Sequence, residues 1–194
     1  MSLSWSLRRV SQTSGLAVSL EEAKAHLRVS GTAQNDYITL LIESAMEQVS
    51  EDTGRAIIQG VWQMTLAAFP EGQSPIPIVT DNVTSVNSVT YIDCDGALQT
   101  MPEADWSWTN ARNKVYVEVS NWPSTDQSSE SDKVFVEYTA GVQSEQSVPR
   151  IVKQAILLEV GRTFYDPAQE NTLNTNDGKS YQMLIQRLRN TYYP

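Results

Sequence analysis

Apolar positions recur at two different periods along the chain, and the change of period divides it into segments. In "SLEEAKAHLRV", residues 19–29, Leu20, Ala23 and Leu27 fall at i, i+3 and i+7, which predicts a short helix with one apolar stripe. Ser19 and Glu22 stand three apart, the spacing at which an N-cap side chain and a carboxylate exchange bonds with each other's backbone amides. The turn residues of "SGTAQND" follow, with a cap expected at Asn35 or Asp36. A second helical stripe then carries Ile38, Leu41, Ile42, Ala45 and Val49, and Gly54 is placed to end it.

From Ala56 the period drops to two. Trp62, Met64, Leu66 and Ala68 alternate with Val61, Gln63 and Thr65, and "IPIV", "SVTYIDC", "ALQTM", "KVYVEV" and "KVFVEY" follow, so about six strands are expected. Asp95-Gly96 predicts a tight hairpin, and "NWPSTDQSSESDK" a polar loop. Helical spacing returns in "SVPRIVKQAILLEVGRTFYDP", where Pro149 suits a first turn and Asp166-Pro167 a stop. "AILL" at 155–158 is apolar around most of a helix circumference, as an element in the middle of a helical core would be. An amphipathic tail, "YQMLIQRLRNTYY", closes the sequence. The pattern predicts an α+β protein: a helical bundle core from residues 1–55 and 145–194, with an antiparallel β-rich domain inserted at 56–144.

Composition narrows the chemistry. Of 194 residues, 40% are hydrophobic and 19% charged, which suits a folded chain. The formal net charge of -9 argues against a protein that holds nucleic acid by neutralising phosphates. One cysteine, Cys94, and one histidine, His26, do not make an internal disulfide or an ordinary structural zinc site. No apolar run reaches the length of a membrane span or a signal peptide, so a chain made in the cytoplasm is expected.

Candidate catalytic features are weak. His26 could pair with Glu22 one turn earlier, but a general base also needs a nucleophile or a metal. "DCDG" at 93–96 begins like a calcium loop, yet the twelfth position from Asp93 is Ala104 rather than a bidentate glutamate. Glu43, Glu47 and Glu118 read as solvated helix and strand faces. No phosphate loop, dinucleotide fingerprint or hydrolase elbow occurs. No catalytic residue, cofactor or metal is therefore assigned. Trp106, Trp108 and Trp122 cluster in the strand block, and Trp106 and Trp108 share a face if their segment is extended. A sheet core accounts for them, a subunit contact is the alternative, and a sugar-stacking platform of a carbohydrate-binding module or glycosidase is a third reading.

Taken in order, "SLEEAKAHLRV", "ITLLIESAMEQVSEDTGRAI", the "VTSVNSVTYIDCDGALQTM" hairpin, "VFVEYTAGV" and "VPRIVKQAILLEVGRTFYD" resemble the head-to-tail connector proteins of tailed bacteriophages, over about residues 16–166. The resemblance implies a structural, non-enzymatic virion protein at the head-tail junction. It implies a homo-oligomeric ring of about twelve subunits below the portal protein. The ring extends the DNA channel toward a tail or stopper protein, and DNA passes without specific binding. It further implies that a C-terminal segment reaches the portal, for which Arg187, Arg189, Tyr192 and Tyr193 are the candidates. Another tail-completion protein is the nearest alternative. An acidic wall suits such a channel, because it repels phosphate and lets the duplex slide.

Overall fold

The computed structural model describes residues 5–12, 15–111, 114–119, 121–125, 132–166 and 176–189. The fold is mixed α+β, with four helices and eight strands among those residues. Two compact units divide the chain: Met1–Gln12 with Gln59–Gly141, and Thr13–Ile58 with Val142–Pro194.

The second unit is helical. Helix α1 (Leu20–Leu27) opens with the expected reciprocal cap: the Glu22 amide donates to Ser19 Oγ at 3.2 Å and the Ser19 amide to Glu22 Oε2 at 3.1 Å. Helix α2 (Asn35–Thr53) buries Ile38, Leu41, Ile42, Ala45, Met46 and Val49, and stops at Gly54, whose φ of 66° is costly for a residue with a Cβ. Its N-cap is Gln34, without a side-chain bond, rather than Asn35 or Asp36. Helix α3 (Arg150–Tyr165) buries Val152, Ala155, Ile156 and Val160, while Ile151, Leu157 and Leu158 are partly buried against the same core. Pro149 is its N-cap, one position before the expected first turn. Helix α4 (Asn176–Leu188) adds Tyr181, Ile185 and Leu188 to the core.

The first unit holds two antiparallel sheets. Strands β1 (Trp5–Gln12), β2 (Gly60–Leu66), β8 (Val134–Ala140), β4 (Val83–Ile92) and β5 (Leu98–Thr100) lie in that spatial order. Strands β3 (Ile76–Ile78), β7 (Lys114–Val119) and β6 (Trp106–Ala111) form the second. Central strand β8 alternates strictly, with Val134, Val136, Tyr138 and Ala140 buried. Tyr138 OH lies 2.5 Å from Thr80 Oγ1, and burial pushes the phenol pKa well above its usual value.

The structure corrects the expected division at its start. The helical pattern places residues 1–55 in the helical core, but Trp5–Gln12 is a strand of the β unit, paired with β2 from Trp5↔Leu66 to Gln12↔Gly60. Its polar sequence carries no strong apolar alternation, and its partner lies about fifty residues away. β4 also begins earlier than "SVTYIDC". Its buried residues Val83, Val86 and Val89 are three apart because bulges fall between Val83 and Ser85 and between Val86 and Ser88.

Lys153 Nζ reaches Glu22 Oε2 and Glu145 Oε1, each at 3.0 Å. The Lys153 bond and the Ser19 amide hold the Glu22 carboxyl below the usual range. A depressed carboxyl stabilises the fold above its unfolded pKa and loses that contribution as pH falls through the folded value. Glu22→Ala should therefore cost about 0.5–2 kcal/mol at pH 7, where the exposed carboxylate is screened by solvent. The difference from wild type should shrink on acidification to about pH 3. Urea unfolding at both pH values checks it, and an unchanged difference would remove the carboxylate from the account.

Candidate interaction surfaces

The opening stretch carries no catalytic arrangement. His26 is exposed, and its Nε2 lies 3.3 Å from where a side chain on Gly161 of α3 would begin. Glu22 is engaged by Ser19 and Lys153, so the two residues do not form the pair considered from sequence. The "DCDG" carboxylate is similarly committed. Asp93 Oδ1 accepts the amides of Asp95 and Ala97, Oδ2 accepts from Gln99 Nε2 at 2.7 Å, and Gly96 at φ 79° completes the turn. The Gln99 bond, then the Ala97 amide, keeps the Asp93 pKa low. Glu43 and Glu47 are exposed on α2, and Glu118 accepts from Thr109 Oγ1 across β6 and β7 at 3.1 Å. Among the described residues no group of three or more His, Cys, Asp and Glu could hold a metal. No helix among them is long and apolar enough to cross a membrane.

The tryptophans separate into two kinds. β6 is extended, so Trp106 and Trp108 share one half-buried face, opposite Val119 and Val117 of β7. Trp122 is 9% exposed: its ring stacks on Phe69 at 4.7 Å and its Nε1–H donates to the Ser74 carbonyl at 3.1 Å. An indole held that way cannot offer its face to a sugar ring or a neighbouring subunit. Of the three, Trp106 and Trp108 retain surface for a contact. A nearby cleft of about 420 Å³ is lined by Tyr91, Met101, Pro102, Asp105 and Pro123, and Asp105 is its one carboxylate among the described residues.

At the C-terminal end, Arg187 and Arg189 are exposed, while Tyr192 and Tyr193 lie outside the described residues. α4 is anchored on its other side by polar contacts. Tyr181 OH donates to Asp52 Oδ2 at 2.7 Å, Arg55 Nε donates to the Leu188 carbonyl at 2.5 Å, and Arg162 lies 5.9 Å over the Tyr181 ring while paired with buried Glu159. Burial, then the Asp52 bond, drives the Tyr181 pKa upward, so the phenol stays a donor. Residues 181–188 are thus core as well as tail. A cut before residue 180, which the amphipathic pattern alone would allow, removes Tyr181, Ile185 and Leu188 from the core.

Comparison with known proteins adds three likenesses of fold and one of family. Residues 17–93 match the family model of the phage gp6-like head-tail connector protein. The match spans α1, α2 and strands β2 to β4, so the connector resemblance read from the sequence is shared by a family model. Among solved structures, the chain is similar to one in the neck of an empty GTA particle computed with C6 symmetry: TM-score 0.76, 19% identity, 96% of each chain. It is similar to one in the virion of a native gene transfer agent (GTA) particle, with TM-score 0.73 and 20% identity over 95% of each chain. A third, in the neck of a native GTA particle computed with C12 symmetry, gives TM-score 0.65 and 18% identity over 98% of this chain and 96% of that one. No curated protein matches the sequence.

Three substitutions test the geometry. Trp122→Ala should destabilise the β unit by about 3–5 kcal/mol, as loss of a stacked, nine-tenths buried ring does, whereas Trp108→Ala should cost far less. Tyr181→Phe should cost about 1–2 kcal/mol by removing the phenol donor from Asp52 Oδ2, while Gln48 Nε2 still donates to Oδ1 at 3.0 Å. Denaturant melts followed by Trp fluorescence and by far-UV circular dichroism read all three.

Proposed function

We propose that this chain is a structural subunit of a phage-type head-to-tail connector, working by protein contacts and without catalysis. The family match over residues 17–93 carries the reading, and the fold shared with chains of particle necks supports it. Neck assemblies with C6 and C12 symmetry support a closed ring of this chain around a channel at the head-tail junction. The portal protein on one side and a tail or stopper protein on the other are the partners such a ring requires.

The chain's charge fits that task. With a net charge of -9, a ring of copies repels phosphate on average, which favours passage of DNA over retention. A closed ring also requires two different patches on each subunit. The exposed arginines at the end of α4, Arg187 and Arg189, are the proposed portal contact, and Trp106 with Trp108 a proposed part of the subunit contact.

Light scattering and negative-stain imaging over a range of concentrations test the ring. Closed rings with a central hole are expected at high concentration or on portal-bearing heads. Arg187→Glu with Arg189→Glu should weaken binding to heads by roughly tenfold while leaving the melting temperature unchanged, because both side chains are exposed. Undiminished binding by that variant would remove α4 from the portal contact.

A further inference from the structure

We infer that neighbouring subunits join through the two opposite edges of the five-stranded sheet, β1 of one copy lying against β5 of the next. The inference rests on the ring proposed above and names its interface. Among the described residues, β1 and β5 each have a sheet neighbour on one side, which leaves a row of backbone donors and acceptors facing outward on the other.

Three independent features make these edges complementary. Direction is the first. The five strands alternate antiparallel, so β1 and β5 run the same way. A rotation that advances the sheet by its own width preserves strand direction, so the edges meet as a parallel pair. Two unlike edges make a heterologous contact, the kind that closes a ring rather than a dimer.

Charge is the second feature. β1 carries Arg8 and Arg9 and no acid, and both arginines are exposed. Residues 93–111, from the turn before β5 through β6, hold Asp93, Asp95, Glu103 and Asp105 and no lysine or arginine. A basic edge therefore faces an acidic one in the pairing proposed. The third feature is apolar surface: Val10 on β1 is 48% exposed and Leu98 on β5 is 67% exposed, one large apolar side chain at each edge.

The run of backbone bonds is short. β5 has three residues, and the irregularity between Arg9 and Ser11 limits the regular part of β1 to Trp5–Arg9. Short and bulged edges resist uncontrolled pairing, so the contact leans on its charges and weakens in salt.

Cysteine pairing in the full chain tests the inference. With Cys94→Ser as background, Leu98→Cys is combined with Ser6→Cys or with Leu7→Cys, which cover the two faces of β1. Oxidation of assembled protein should give a covalent ladder ending in a closed species with one of these pairs, and none with Leu98→Cys alone. Arg8→Glu with Arg9→Glu should weaken assembly by roughly tenfold, and adding Asp95→Lys with Glu103→Lys should restore it, with circular dichroism confirming a folded chain throughout. Rings that form normally, without a ladder from either pair and indifferent to the charge reversal, overturn the edge contact while leaving the connector reading intact. A wild-type chain that forms no ring at any concentration or on portal-bearing heads overturns the ring reading instead.

Discussion

Burial of α3 is the interaction on which the helical unit depends. Val152, Ala155, Ile156 and Val160 are sealed in its core, and flanking leucines at 157 and 158 pack on the same cluster, so nearly the whole circumference needs partners. Those partners are α1 and α2, made about a hundred residues earlier, and α4, made after it. The unit therefore cannot complete its core until the chain has passed through all of β2 to β8. Closing so long a loop costs entropy that grows only slowly with its length, which makes a large inserted unit tolerable. Lys153, bridging Glu22 and Glu145, and Tyr181, bonded to Asp52, then fix the register of helices already brought together by apolar contact.

Where local physics determines local structure, the sequence was legible. The Ser19–Glu22 box, the five-residue stripe of α2, the stop at Gly54 and the turn at Asp93–Ala97 are all decided within a few residues, and each forms as its spacing indicates. Legibility failed where the deciding partner is distant. β1 is polar and half exposed, and becomes a strand because β2 offers an edge to it. β4 hid its first half behind a spacing of three, produced by bulges that no single-strand pattern announces. Trp122 looked like a contact residue because large aromatics are common at interfaces, but Phe69 and the Ser74 carbonyl already satisfy it. Glu22 looked like a histidine's partner, but a lysine on α3 lies within reach and carries a full charge at neutral pH, whereas His26 turns toward Gly161.

The weakness of the chemistry is itself consistent across scales. Polar side chains that resemble catalytic or metal-binding groups are spent on structure: Asp93 closes a turn, Glu118 ties two strands, and Glu159 neutralises Arg162 inside the helical unit. The described surface also carries sheet edge, half-buried tryptophan and exposed arginine, which suit protein contacts.

The edge contact inferred above, a short run of backbone bonds flanked by opposite charges, would constrain side chains only loosely. The chain shares its fold with a neck chain at TM-score 0.76 and 19% identity, so one fold is built from largely different side chains. An interface that depended on a few matched side chains would require those pairs to change together. A strand edge offers the same donors and acceptors whatever its side chains, and sign of charge along an edge is a looser constraint than identity. Assembly through edges would therefore tolerate wide variation in sequence, provided that the sheet order and the opposite charges of its two sides are kept.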